Sequence, residues 1–198
     1  MPVAVRDDVE TILANFAERL CAVLDQAMLD WEATLNKSWF IWPRVRANMI
    51  FSYIANRAME EFSDDKNVHI INERQTVKFL FHDSVLVRFK KGNARGVGSN
   101  IITQNVLEFI DPQLQFSGLP DVHRVEVVYQ FNLLGTGYSE VAVVARDRSS
   151  RIWAYPLVSK PSAEVIPLPT RVPPVLTPPA VTPKAPPAEK SSEDAPSE

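Results

Sequence analysis

Cysteine is almost missing from this chain of 198 residues: Cys21 stands alone. No intramolecular disulfide and no cysteine-based zinc site can therefore form. A reducing, intracellular home fits that usage. Histidine is scarce too. His69, His82 and His123 are scattered without ligand spacing, and none lies near a serine in a nucleophile-elbow context. No stretch approaches the ~18 consecutive apolar residues of a membrane span. The amino terminus places Asp7, Asp8 and Glu10 where a secretory leader would be basic and then apolar. These absences predict a soluble cytoplasmic protein with no metal, no cofactor and no membrane partner.

An overall excess of positive charge is also lacking, since the formal net charge is −3. From Pro161 onward, Arg171, Lys184 and Lys190 face Glu164, Glu189, Glu193, Asp194 and Glu198, a net of −2 that leaves −1 for the rest. A dedicated high-affinity nucleic-acid binder usually carries a basic domain, so any such binding would have to be local. The last 38 residues hold eleven of the sixteen prolines and no aromatic residue. Such a segment buries too little surface to offset its ordering entropy, which predicts a disordered tail over 159–198 with polyproline II tendencies. Within it, Pro183-Lys-Ala-Pro186 matches the minimal proline-rich recognition pattern, a match that so biased a composition also produces by chance.

What is abundant lies before the tail, where 45% apolar content supports a core. Val9, Ile12, Leu13, Phe16, Leu20, Val23, Leu24, Ala27, Met28, Trp31 and Leu35 recur at threes and fours, which predicts one long amphipathic helix capped by Asp7 or Asp8. Cys21 sits beside that stripe as a small hydrophobe. Pro43 suits the first turn of a second helix, running to about Phe62. Its terminal Glu60, Glu61, Asp64 and Asp65 oppose the helix dipole and call for a nearby cation. Strands follow at 67–72, 75–82 and 84–91. A glycine-rich loop and a short helix through Ile101, Ile102, Val106, Leu107 and Ile110 come next, ended by Pro112. Beyond a turn at Gly118 and Pro120, three more strands centre on 125–133, 141–145 and 152–157. The order predicts an α+β fold: two N-terminal helices over 1–65, packed on an antiparallel sheet of about six strands over 66–158.

One hairpin draws notice. Val77, Phe79 and Phe81 share a face, as do Val85, Val87 and Phe89. Matching them sets Phe81 opposite Val85, with His82, Asp83 and Ser84 as the loop. The other face then places Leu80 against Leu86, Lys78 against Arg88 and Thr76 against Lys90. No acidic residue in 84–99 offsets Arg88, Lys90, Lys91 and Arg95. Like charges opposed across a strand pair are unfavourable. Lys78, Arg88, Lys90, Lys91 and Arg95 are thus the expected site for an acidic protein partner or nucleic acid. Neutralisation by Glu73, Glu60 or Glu61 within the chain is the bland alternative. Trp42, with Arg44 and Arg46, is an auxiliary candidate, because the cluster of Trp39, Phe40 and Trp42 could stack on a base or simply plug a helix junction. His82 could tune the patch with pH.

Two catalytic readings compete. The loop from Gly92 to Asn100 before a helix could cradle phosphate, although it lacks the third glycine of a dinucleotide fingerprint and the Lys-Ser/Thr of a P-loop. Asp83 followed by Arg88-Phe89-Lys90 resembles a metal-dependent nuclease pattern with its second carboxylate replaced by arginine, which would repel Mg²⁺. No catalytic residue is therefore assigned. A homo-oligomer formed through the N-terminal helices is the third reading.

Val85-Leu-Val-Arg-Phe-Lys-Lys91, Ser117-Gly-Leu-Pro120 and Arg151-Ile-Trp153 resemble, across residues 76–157, uncharacterised small bacterial proteins of toxin–antitoxin or phage-type regulatory neighbourhoods. The resemblance carries over no catalytic residue. It implies a regulatory partner protein rather than a metabolic enzyme.

Overall fold

The computed structural model describes residues 4–73, 76–99, 104–111 and 122–158, all within one unit, Met1–Ser162. The expected proline-rich tail, the turn at Gly118 and Pro120, and Ile101 and Ile102 lie outside the described residues. The fold is α+β. Helices α1 (Arg6–Leu13), α2 (Ala17–Ala33) and α3 (Pro43–Phe62) precede strands β1 (Val68–Glu73), β2 (Thr76–Phe81) and β3 (Val85–Lys91). Helix α4 (Gln104–Ile110) follows, then β4 (His123–Phe131), β5 (Tyr138–Asp147) and β6 (Ser150–Pro156).

The first predicted helix is in fact two. Its apolar stripe continues through the break, but a turn at residues 14–16 separates α1 from α2. The turn sends the Phe16 ring into the core, 4.8 Å from the Phe81 ring and 6.3 Å from that of Phe62. Val5 is the residue at the α1 N-cap, and Asp7 and Asp8 occupy the first turn, where their charges suit the positive end of the dipole. Leu35 falls beyond α2 and is exposed. Pro43 opens α3 as expected. The acids closing α3 find cations on α2 and α3: Arg19 bonds Glu61 at 2.6 Å and Asp65 at 2.5 Å, and Arg57 bonds Glu60 at 3.0 Å.

The sheet runs in sequence order, β1 to β6. It is mixed rather than wholly antiparallel, because β3 and β4 pair in parallel while every other pair is antiparallel. Two three-stranded meanders are thus joined by a connection containing α4, the helical crossover that parallel neighbours require. In the β2–β3 hairpin Phe81 pairs with Val85 and Leu80 with Leu86, the anticipated register. His82 and Asp83 turn it with positive φ angles of 46° and 51°.

Parity divides the sheet into two covered faces. Phe79, Phe81, Val85, Val87, Phe89, Val127 and Tyr129 pack against α1 to α3 in the main core. On the opposite face Leu80 and Leu86 lie under Phe109 and Ile110 of α4, and Val128, Ala142 and Val144 lie under Val97 of the glycine-rich loop. Between those two small apolar clusters runs a charged row that includes Arg88 and Glu126. No helix among the described residues is long and apolar enough to cross a membrane.

Candidate functional site: a charged row beneath the glycine-rich loop

The hairpin face is not an open basic surface. Lys78 and Arg88 are only 5% and 2% exposed. The counterion, which the sequence reading sought in residues 84–99 or in Glu60, Glu61 and Glu73, comes from β4: the parallel register sets Glu126 directly opposite Arg88. Arg88 donates from Nε at 3.1 Å and from Nη2 at 2.5 Å to Glu126 Oε1. The second carboxylate oxygen accepts the Gly98 N–H at 3.1 Å and lies 3.4 Å from Arg146 Nη1. The Arg88 guanidinium also lies 4.0 Å from the Phe109 ring centroid, so its other face is covered as well. Burial alone would raise the Glu126 carboxyl, but Arg88, Arg146 and the Gly98 amide outweigh that and hold it below the ordinary range.

Lys90 continues the row toward solvent and is only partly buried. Among the described residues no carboxylate forms an ion pair with it, since Glu126 is engaged by the two arginines. Its ammonium is pushed down to about 8 by burial first, then by repulsion from Arg88 and Arg146, against partial relief from Glu126. Lys91 belongs to the other face by parity, and its Nζ lies 5.4 Å from the Phe131 ring. Arg95 is exposed on the loop. The structure therefore brings Lys78, Arg88 and Lys90 into one row and separates Lys91 from them.

The glycine-rich loop folds back on itself. Gly92 bridges Gly98, Asn93 bonds Val97 and Gly96, and Ser99 N–H reaches Lys91 O. The Gly98 amide is given to Glu126 and the Arg95 amide to Asn93 Oδ1, so these N–H groups are turned to protein acceptors and not to a phosphate. Gly98 has no room for a side chain: a Cβ would meet Glu126 Oε2 at 2.5 Å and Lys90 Cβ at 2.7 Å. A Cβ on Gly96 would meet Arg151 Nη1 at 2.9 Å, which places the exposed Arg151 against the residue that follows the exposed Arg95.

The remaining candidates are dispersed. Asp83 pairs with His69 Nε2 at 3.1 Å, and no group of three or more His, Cys, Asp or Glu capable of holding a metal occurs among the described residues. His82 is exposed, its ring 5.5 Å from Phe16. Cys21 is half-buried, with Sγ 3.8 Å from Leu157 O. Of the aromatic cluster only Phe40 packs inward, 6.2 Å from Trp31, while Trp39 and Trp42 are 77% and 66% exposed. Arg44 is exposed, whereas Arg46 stacks over Trp31 and Phe131 and donates to Gly135 O.

Glu126 and Arg146 are the residues that sequence reasoning missed. The signal was available: a strand, helix and strand in succession make β3 and β4 parallel neighbours, and Glu126 shares the parity of Arg124 and Val128 on β4. No protein-family model, no curated protein and no solved structure matches this chain.

Proposed function

We propose that the chain is a non-enzymatic interaction module that receives an acidic segment of a partner protein on a cationic edge formed by Lys90, Arg95 and Arg151. The charge imbalance beside the glycine-rich loop carries this reading. Arg88 and Arg146 share Glu126, while Lys90, Arg95 and Arg151 have no ion-pair partner among the described residues. A carboxylate-bearing peptide would neutralise them and supply the counter-charge missing at Lys90, which burial first and then repulsion from Arg88 and Arg146 push down. An edge of three cations on a chain of net charge −3 suits a short acidic peptide better than a nucleic-acid backbone.

Fluorescence anisotropy with a labelled poly-glutamate peptide and a labelled single-stranded oligonucleotide, at low and high salt, tests the proposal. Salt-sensitive peptide binding that is lost in Arg95→Glu/Arg151→Glu supports it. Binding unchanged by the double substitution, or confined to the oligonucleotide, overturns it.

A further inference from the structure

We infer that a second copy of this chain docks on the end of the molecule formed by the α2–α3 connection and the β4–β5 turn. Leu35, Trp39, Ile41 and Trp42 of the first are 83%, 77%, 73% and 66% exposed, and Leu133 and Leu134 of the second are 102% and 82% exposed. Arg46 holds the two segments side by side, donating to Gly135 O while its guanidinium lies 5.6 Å from the Trp31 ring and 5.3 Å from that of Phe131. A tryptophan presents ~150–250 Å², and a leucine or isoleucine roughly 60–120 Å² at ~25 cal/mol per Å². The six side chains therefore offer about 400–750 Å² of apolar surface, at or above the ~300–600 Å² of the largest patch on a typical monomer.

That area is the apolar centre of a standard interface, which buries about 800 Å² per partner. Two exposed tryptophans beside arginine are also the residue types that dominate interface energetics. The local cations argue against an anionic occupant. Lys37 bonds Glu32 at 2.8 Å and Arg46 is directed inward to Gly135 O and the rings, so of the cations beside this patch only Arg44 is exposed without an ion pair among the described residues. An isologous contact between two copies buries this patch on both and needs no other molecule. The patch shares no residue with the cationic edge of Lys90, Arg95 and Arg151, so either proposal can fail without the other.

Sedimentation velocity of the full chain over roughly a hundredfold concentration range tests it, because dimer mass must rise with concentration. Trp39→Ser/Trp42→Ser and, separately, Leu133→Ser/Leu134→Ser are each expected to weaken the dimer by about tenfold or more, with far-UV circular dichroism and thermal midpoint unchanged. Serine at 42 takes the α3 N-cap position, which it favours, so that helix is not weakened. A chain that stays monomeric at all concentrations, or a dimer that survives both double substitutions, overturns the inference. So does a monomer whose tryptophan emission shifts to the blue only with anionic phospholipid vesicles or an oligonucleotide, which would hand the patch to that ligand.

Discussion

Arg88 and Glu126 stand opposite each other across the parallel junction of the two meanders, 2% and 0% exposed, joined by two hydrogen bonds to one carboxylate oxygen. A buried pair of this kind is asymmetric in its energetics. Attraction in the interior roughly offsets the cost of desolvating both ions, whereas removing one partner leaves the other charged and out of water.

Glu126→Gln should therefore destabilise the fold by about 3–5 kcal/mol, since Arg88 loses its counterion while burial persists. Arg88→Met/Glu126→Leu, which removes both charges at similar volume, should recover most of that loss. Urea unfolding of the two variants and the parent measures it. A double variant no better than Glu126→Gln would mean that Arg146 and the Gly98 amide, rather than Arg88, are what the carboxylate serves.

Gly98→Ala tests the close approach of the loop. The added methyl enters the space of Glu126 Oε2 and Lys90 Cβ, and the second contact cannot be relieved by a flexible side-chain end. A loss of about 1–3 kcal/mol is expected from overpacking. If the loop lifts to accommodate it, Val97, now 3% exposed, loses its contact with Val128, Ala142 and Val144, and hydrogen exchange at residues 92–98 should quicken.

The α+β class, the start of α3 at Pro43 and the β2–β3 register were legible because each rests on local information: a helical period, a proline at N1, alternation with turn residues. The break at Phe16 was not, for the apolar period runs through it and only the tertiary pull of Phe62 and Phe81 gives the ring a reason to turn inward. The site was half legible. Parity placed Lys78, Arg88 and Lys90 on one face, but the partner of Arg88 lies 38 residues away. The strand patterns by themselves do not say whether two meanders meet in parallel or antiparallel fashion; only the helix between β3 and β4 favours the parallel junction, and that choice decides whether Glu126 faces Arg88.

Phe16→Ala measures how much that inward turn contributes. The ring is 4% exposed and touches Phe62, Phe81 and His82, with Arg19 5.9 Å from its centroid. Losing a buried phenyl group costs about 3–5 kcal/mol where the surroundings cannot collapse. Circular dichroism should show retained helix content at low temperature with an earlier thermal transition. An added gain in helicity would show that the aromatic cluster, rather than the backbone at residues 14–16, is what interrupts α1 and α2.

Lys90 makes stability depend on pH with a definite sign. Its ammonium releases its proton near 8 in the folded chain and near the ordinary 10.5 when unfolded. Between those values the unfolded state binds more protons, so raising pH favours the folded state. Below about 8 the penalty is constant and complete. Above about 10 the trend is opposed by Tyr129, Tyr138 and Tyr155, whose burial raises them above the ordinary range, so that the unfolded state loses phenolic protons first. Stability should accordingly climb between pH 8 and 10 and then level or fall. Lys90→Met should flatten the climb and add about 1–3 kcal/mol at pH 7, where the buried charge is otherwise fully present. Guanidinium unfolding at several pH values provides the measurement. A parent whose stability is flat from pH 8 to 10 would show that Lys90 is already compensated by solvent, and with it would go the charge imbalance on which acidic-partner binding rests.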